Sequence, residues 1–302
     1  MALQVRTQLG DLYLSDALPA IYEVIQNEYD QYPDLIPTLF NVESSGRSIE
    51  QSTMISGFGR MVETPEGQPV NTDIAYQRYN KTYTHLKYTL GYKVSREMID
   101  DDQFGIVGKF SKSLAKSAFD TRQFLAADIF NQGFVTTFYT GGDGLAFFVT
   151  NHTLTSGTSS NALTTPAALS VTSLRQALVD IAATVDERGL LINLTPKMLL
   201  VPPALQFDAQ ELLKSPDRPD TAARAINAFS MKNMDWTMWP YLTSGTAWFI
   251  GCDRHDLTWF DRKEFAVDNF EDYSTHSLVI QGHMRLSRGW NDWRGWYGTA
   301  GA

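Results

Sequence analysis

The sequence predicts an α+β fold built around unusually extended elements, and three stretches predict it. The first is an alternation near residues 82–94. Leu86, Tyr88, Leu90, Tyr92 and Val94 point one way, and Lys87, Thr89, Gly91 and Lys93 point the other. Period two over that span marks a long strand with one covered face. The second stretch follows at once. Phe104, Val107, Phe110, Leu114, Ala118, Leu125 and Ile129 recur at three- and four-residue steps, with Phe119, Ala126 and Phe130 widening the stripe. A helix of about 27 residues at ~1.5 Å each is a rod of about 40 Å. The third is a last long strand, Ser277 to Trp290, with Leu278, Ile280, Gly282, Met284 and Leu286 on one face. A lone compact enzyme rarely needs such elements end to end, whereas a subunit that must reach its neighbours does.

The remaining elements follow in chain order. Residues 1–15 have no strong period and read as an extended arm. Ser15 or Asp16 caps a short helix carrying Leu18, Ile21, Tyr22 and Ile25, which Pro33 and Pro37 break. From Leu39 to Val62 the pattern is loosely β. Pro65, Gly67 and Pro69 then mark a turn. The chain returns as the long strand, so Leu39 to Val94 reads as a two-stranded excursion whose tip has no core of its own. A hairpin of that kind is marginal alone in water and should lie on something. Asp100, Asp101 and Asp102 suit the start of the long helix, where free N–H groups favour negative charge, and Gly133 suits its end. The Gly-, Ser-, Thr- and Asn-rich stretch from Thr140 to Pro166 reads as a surface loop. Ser170 or Thr172 starts a second helix with Leu174, Leu178, Ile181 and Val185, ended by Gly189. Met198 to Val201 is a short buried strand stopped by Pro202 and Pro203, Leu205 to Leu213 is a third helix, and Ser215 to Asp220 is a loop. Met234 to Trp239 and Ala247 to Cys252 read as strands.

Composition narrows the function. Hydrophobic residues are 43% and charged residues 20% of 302, an ordinary globular balance that excludes disorder by composition. Aromatics are plentiful, with 7 Trp, 13 Tyr and 17 Phe, which suits large cores and extensive subunit contacts. A net charge of −9 makes the whole chain a poor phosphate neutraliser, against specific binding of DNA or RNA through a basic face. The single Cys252 rules out an internal disulfide and a cysteine-rich zinc site. No apolar run is long enough for a membrane span, and the first residues lack the pattern of a secretory signal.

The chemistry-bearing residues favour no enzyme. None of the histidines His85, His152, His255, His276 and His283 has the i, i+4 spacing of a helical metal site. The Asp100–Asp102 run reads as a helix start before a cation site. No G-x-S-x-G elbow is present, and Gly57-x-Gly59 lacks the rest of a phosphate or dinucleotide loop. The aromatic, basic segment Arg288 to Thr299 is either a stacking platform or, preferably in an acidic chain, the edge of a core or a subunit contact. No cofactor is expected. A carbohydrate-acting hydrolase, with acids and Trp residues as its parts, stands as the rival class.

The order of parts resembles the major capsid proteins of tailed phages, of the Hong Kong phage type. Lys87 to Gly105 looks like the junction of strand and spine helix in Mu-like major head subunits. Asp143 to Leu154 resembles a loop motif of those subunits, and Met198 to Leu205 resembles the opening of their apical domain. Trp248 to Asp272, followed by Ser277 to Trp290, resembles the return into the peripheral domain. The resemblance implies an arm (1–38), an extended hairpin or E-loop (39–96), a peripheral domain (97–188 and 257–302) and an apical domain (189–256). It implies a structural protein that assembles with itself into hexamers and pentamers of an icosahedral head in the virion, built in the host cytoplasm around DNA it does not bind specifically. A nanocompartment shell is the alternative of the same fold. With no room for a scaffolding segment before the arm helix, a separate scaffold protein is implied, alongside decoration, portal or vertex proteins. The inter-subunit candidates are Arg60, Glu63, Pro65, Glu66, Pro69 and Arg78 on the hairpin and Arg285 and Arg288 on the return strand. Some relatives cross-link a hairpin Lys to a neighbour. Lys81 is on the hairpin, but no acceptor or assisting acid is matched, so no covalent bonding between subunits is expected.

Overall fold

The computed structural model describes residues 22–95, 97–98, 106–215, 229, 234–272, 274–275 and 277–302. The extended arm, the Asp100–Asp102 helix start, the loop after Ser215 and His276 lie outside the described residues.

Helix α1 occupies 22–30, and the short α2 is Ile36–Leu39. Strand β1 (Asn41–Ser44) precedes the hairpin strands β2 (Ile49–Ile55) and β3 (Gln77–Thr84). Strand β4 (Leu86–Ser95) leads towards the long helix α3 (Ile106–Asn131). A small hairpin, β5 (His152–Leu154) and β6 (Gly157–Ser159), comes before α4 (Val171–Ala182). Then follow β7 (Pro196–Val201), α5 (Gln206–Lys214), β8 (Asp235–Met238) and β9 (Trp248–Cys252). The chain closes with β10 (Thr258–Asp272), β11 (Ser277–Gly289) and β12 (Trp296–Thr299).

Two four-stranded sheets organise these parts. One has the order β1-β10-β11-β4, with β1 parallel to β10 and the other pairs antiparallel. Helix α3 lies on one face of it. Leu114 packs with Ile280, the Tyr92 hydroxyl bonds Ser111, and Arg122 pairs with Asp261 at 2.8 Å. The other sheet has the order β12-β9-β7-β8 and buries its face against α4 and α5 through Leu174, Ile181, Leu199, Leu212 and Ile250. Between the two, Phe130 at the end of α3 sits among Phe147, Phe148, Trp239, Phe249 and Trp296, the last 4.9 Å away edge to face. The helix stripe holds at Leu114, Phe119, Ala126, Ile129 and Phe130, which are buried, whereas Phe110 is exposed.

The expected single strand through Thr82–Val94 is two strands. His85 interrupts it, because its ring is buried between Ser45 and Ser287, each hydroxyl 3.0 Å from a ring nitrogen. β3 pairs with β2, and β4 pairs with β11, so the hairpin proper is Ile49–Ile55 against Gln77–Thr84. The expected covered face of β4 is only partly covered. Val94 is buried, but Leu86 and Leu90 are more than half exposed on what is an edge strand.

The Thr140–Pro166 stretch is not a surface loop. Ala146, Phe147, Phe148 and Leu154 belong to the core. Its irregular backbone survives burial because side chains and neighbouring backbone satisfy it: Asn161 accepts from Val149 N–H and donates to Phe147 O, and Phe148 N–H bonds Gly133 O. Helix α4 starts as expected, with Ser170 and Ser173 forming a capping box. It stops at Ala182, however, seven residues before Gly189, which serves at φ +82° in the turn beyond. Strand β10 lacks a clean period because it bulges between Asp261 and Lys263 and again before Ala266. In the aromatic C-terminal segment, Trp290, Trp293, Trp296 and Tyr297 are at most 4% exposed, so they are core and offer no stacking platform.

Candidate subunit-contact surface

The hairpin leaves the body through a polar clamp at its base. Arg78 Nε donates to Glu187 Oε2 at 3.1 Å, Tyr79 OH donates to Thr153 O at 3.0 Å, and Lys81 Nζ donates to Thr140 O at 2.6 Å. Glu187 has a side chain only 2% exposed and also pairs with Arg294 at 3.0 Å. Burial holds the Lys81 ammonium below its ordinary pKa and raises the Tyr79 phenol. Beside the clamp, the fully buried His152 reaches Asp143 through Nδ1 at 2.6 Å and stacks on Trp293 at 4.1 Å. Arg188 makes a further tie, to Asp73 at 3.2 Å and to the Ile74 carbonyl at 2.6 Å. The backbone N–H groups of Gly59 and Ile74, with Arg188 behind them, hold the Asp73 carboxyl below the usual range.

Beyond β2 and β3 the chain forms a tip with no regular structure from 57 to 76. Ser56 closes the ladder by exchanging bonds with Tyr76. Gln68 N–H bonds Pro65 O at 3.1 Å across a turn whose Gly67 takes φ +80°, a conformation that suits glycine. Every residue from 58 to 74 is exposed. Met61 is fully exposed, Val70 is 84% exposed, and Phe58, Val62 and Ile74 are each more than half exposed. Several large apolar side chains open to water on one coreless loop mark a contact surface.

The sequence candidates divide cleanly. Arg60, Glu63, Pro65, Glu66 and Pro69 all lie exposed on the tip. Arg78 and Arg288 are engaged within the subunit, where the sequence reading put them on a neighbour. Arg78 is held by Glu187, while Arg288, its side chain 7% exposed, lies beside Asp128 and donates to Tyr139. Arg285 is partly exposed on β11 and stands in register with Lys87 on β4 and Lys263 on β10. Sequence reasoning missed Glu187, Arg188, Lys87 and Lys263. The partners of the first two are 109 and 115 positions away, and only strand register reveals the last two.

The described chain is thus a hairpin carried off one sheet, a long helix on that sheet, and a second sheet with its own helices. A family model described as phage capsid protein matches residues 78–299. Among solved structures, the chain is similar to one from Microbacterium phage Oxtober96, with 10% identity, a TM-score of 0.56, and 88% of this chain and 90% of that one covered. It is similar to the bacteriophage JBD30 capsid, with 14% identity, a TM-score of 0.59, and 70% and 92% covered. It is also similar to a virus-like particle from Pyrococcus furiosus, with 10% identity, a TM-score of 0.52, and 93% and 98% covered. No curated protein matches. At such identities the structures share the fold and the family model supplies the kinship: the chain belongs to the phage capsid protein family, a capsid shell protein with the tailed-phage major capsid fold.

Proposed function

We propose that this subunit forms hexamers and pentamers of an icosahedral head around double-stranded DNA, and that the hairpin tip is its principal reach onto neighbouring subunits. The protein acts by contact and shape, without catalysis. A separate scaffold protein guides assembly in the host cytoplasm, and decoration, portal or vertex proteins complete the particle. The domain division at 38, 96, 188 and 256 and the kinship with Mu-like head subunits belong to the same proposal. The family match favours a phage head over a nanocompartment shell. Lys81 is tied to the Thr140 carbonyl within the subunit, which favours shells without covalent bonds between subunits.

The observation that carries this reading is the tip, which is exposed throughout and rich in large apolar side chains in the single subunit yet anchored at its base by buried ion pairs. A loop built to be solvated would not hold Phe58, Met61, Val62 and Val70 in water. Deleting Glu63–Thr72 tests it. The base clamp and both sheets stay intact, so the subunit should fold and remain soluble, with closed shells lost in negative-stain images. Normal heads from the deletion would overturn the reading.

A further inference from the structure

The face of the β1-β10-β11-β4 sheet turned away from α3 carries its charges in rows. Near the far end Lys93 pairs with Asp272 at 2.6 Å. Further along, His283 Nδ1 lies 3.1 Å from Asp268. The next row, at the foot of the hairpin, is Lys87 opposite Arg285 opposite Lys263, three cations across three strands. Like charges directly opposite oppose sheet pairing. Among the described residues none of the three has an ion-pair partner, although the neighbouring rows do. Lys87 and Lys263 are exposed, and Arg285 is partly so. The Arg285 charge, with Arg262, is felt by the buried His85 beside it, whose pKa burial and these cations lower.

We propose that this basic row receives the hairpin tip of a second copy of the chain, with Glu63 and Glu66 of that copy set against Lys87, Arg285 and Lys263. The proposal rests on the tip being a contact surface and adds where it lands. Three observations select this occupant. Glu63 and Glu66 are exposed, with no ion-pair partner among the described residues, whereas Asp73 of the same tip is already held by Arg188. The tip is apolar around these acids, and the same sheet face presents Phe270, 53% exposed, opposite Val279. Within one subunit the tip and the row lie towards opposite ends of consecutive strands. From Gln77 to Lys87 the extended chain spans about 33 Å, so a second copy supplies the acids.

Charge reversal in the full-length chain tests this. K87E/R285E/K263E and, separately, E63K/E66K should each lower the yield of closed shells at least tenfold at near-physiological salt, and combining them should restore yield to within about threefold of the parent. A row reversal that assembles like the parent, while the Glu63–Thr72 deletion does not, would overturn the row as acceptor and leave the tip reading standing. If both assemble normally, both ideas fall. Should the reversals unfold the subunit, E66C/K263C answers instead, since Cys252 is buried. Oxidised particles should give a ladder of disulfide-linked dimers and higher multimers on a non-reducing gel, because each chain carries both cysteines. Monomers only, or row residues shielded by packaged duplex DNA in footprinting, would overturn the proposal.

Discussion

Glu187 is a carboxylate with almost no exposed surface, gripped by Arg294 on one side and Arg78 on the other while also accepting Thr155 N–H. Taking those charges out of water is costly, and the cost is offset only while all of them remain paired. Arg294 keeps Asp292 and the Val185 carbonyl if the carboxylate goes, so its loss is partly cushioned. Glu187→Ala should therefore sit near the low end for a broken buried pair, about 3 kcal/mol, with Glu187→Gln costing less. Denaturant unfolding of the unassembled subunit measures this, and a change under 1 kcal/mol would show the clamp to be decorative. Such residues are hard to read from sequence. Glu187 stands in a polar run beside Asp186 and Arg188, and its partners are about a hundred positions away in both directions. His152 and Asn161 are hidden in the same way, in a stretch whose Gly, Ser and Thr content resembles solvent-facing loop. Phe147 and Phe148 were the signal that it goes inside, because adjacent large aromatics rarely both face water.

The hairpin and its joint show what an element-level reading catches. Alternation at Leu86–Val94 was legible because strand side chains have period two. The break at His85 was not, because it is a change of phase. Tyr83 and His85 point inward at odd positions, and Tyr88, Tyr92 and Val94 do so at even ones. Likewise the bulges in β10 scramble the longest strand of the described chain, and its pattern reads as noise. The tip was legible because proline and glycine punctuate it and nothing apolar repeats there. The joint has a consequence for pH. Burial, then the Arg285 charge, then Arg262, depress the His85 pKa, while Glu50 partly opposes them. A base whose folded pKa lies below its unfolded value of about 6.5 favours folding above that value. The contribution is lost as pH falls below it, because the unfolded form takes up the proton first. Lowering pH from 7.5 to 5.5 should thus raise hydrogen exchange at residues 82–88 of the isolated subunit, after correction for intrinsic rates. In His85→Gln that pH dependence should disappear, and unchanged protection in the parent across this range would refute the assignment.

At the scale of the particle, the proposed head around DNA raises the question of how a shell would hold a polyanion without gripping it. Binding that neutralises several phosphates releases counterions, so it is tight and falls steeply with salt. The chain carries 34 acids against 25 Lys and Arg, which lowers its average attraction for DNA. Averages do not decide binding, however, and clusters do. The structure shows where the cations go. Arg78, Arg122, Arg288 and Arg294 are held by carboxylates inside the subunit. The Lys87–Arg285–Lys263 row is exposed and unpaired among the described residues, and it is a patch to which phosphates could adhere. In the proposed docking, a neighbour's Glu63 and Glu66 cover that row, which would both secure the lattice and remove the adhesive patch. Free subunits should then bind duplex DNA weakly, with a Kd of about 10 µM or above at physiological salt and a modest salt slope that K87E/R285E/K263E abolishes. Closed, empty shells opened at a vertex should bind it less well still. Fluorescence anisotropy with a labelled duplex measures the first, and co-sedimentation measures the second. Sub-micromolar binding to the shell interior that weakens steeply with salt would mean that the wall holds the genome by charge.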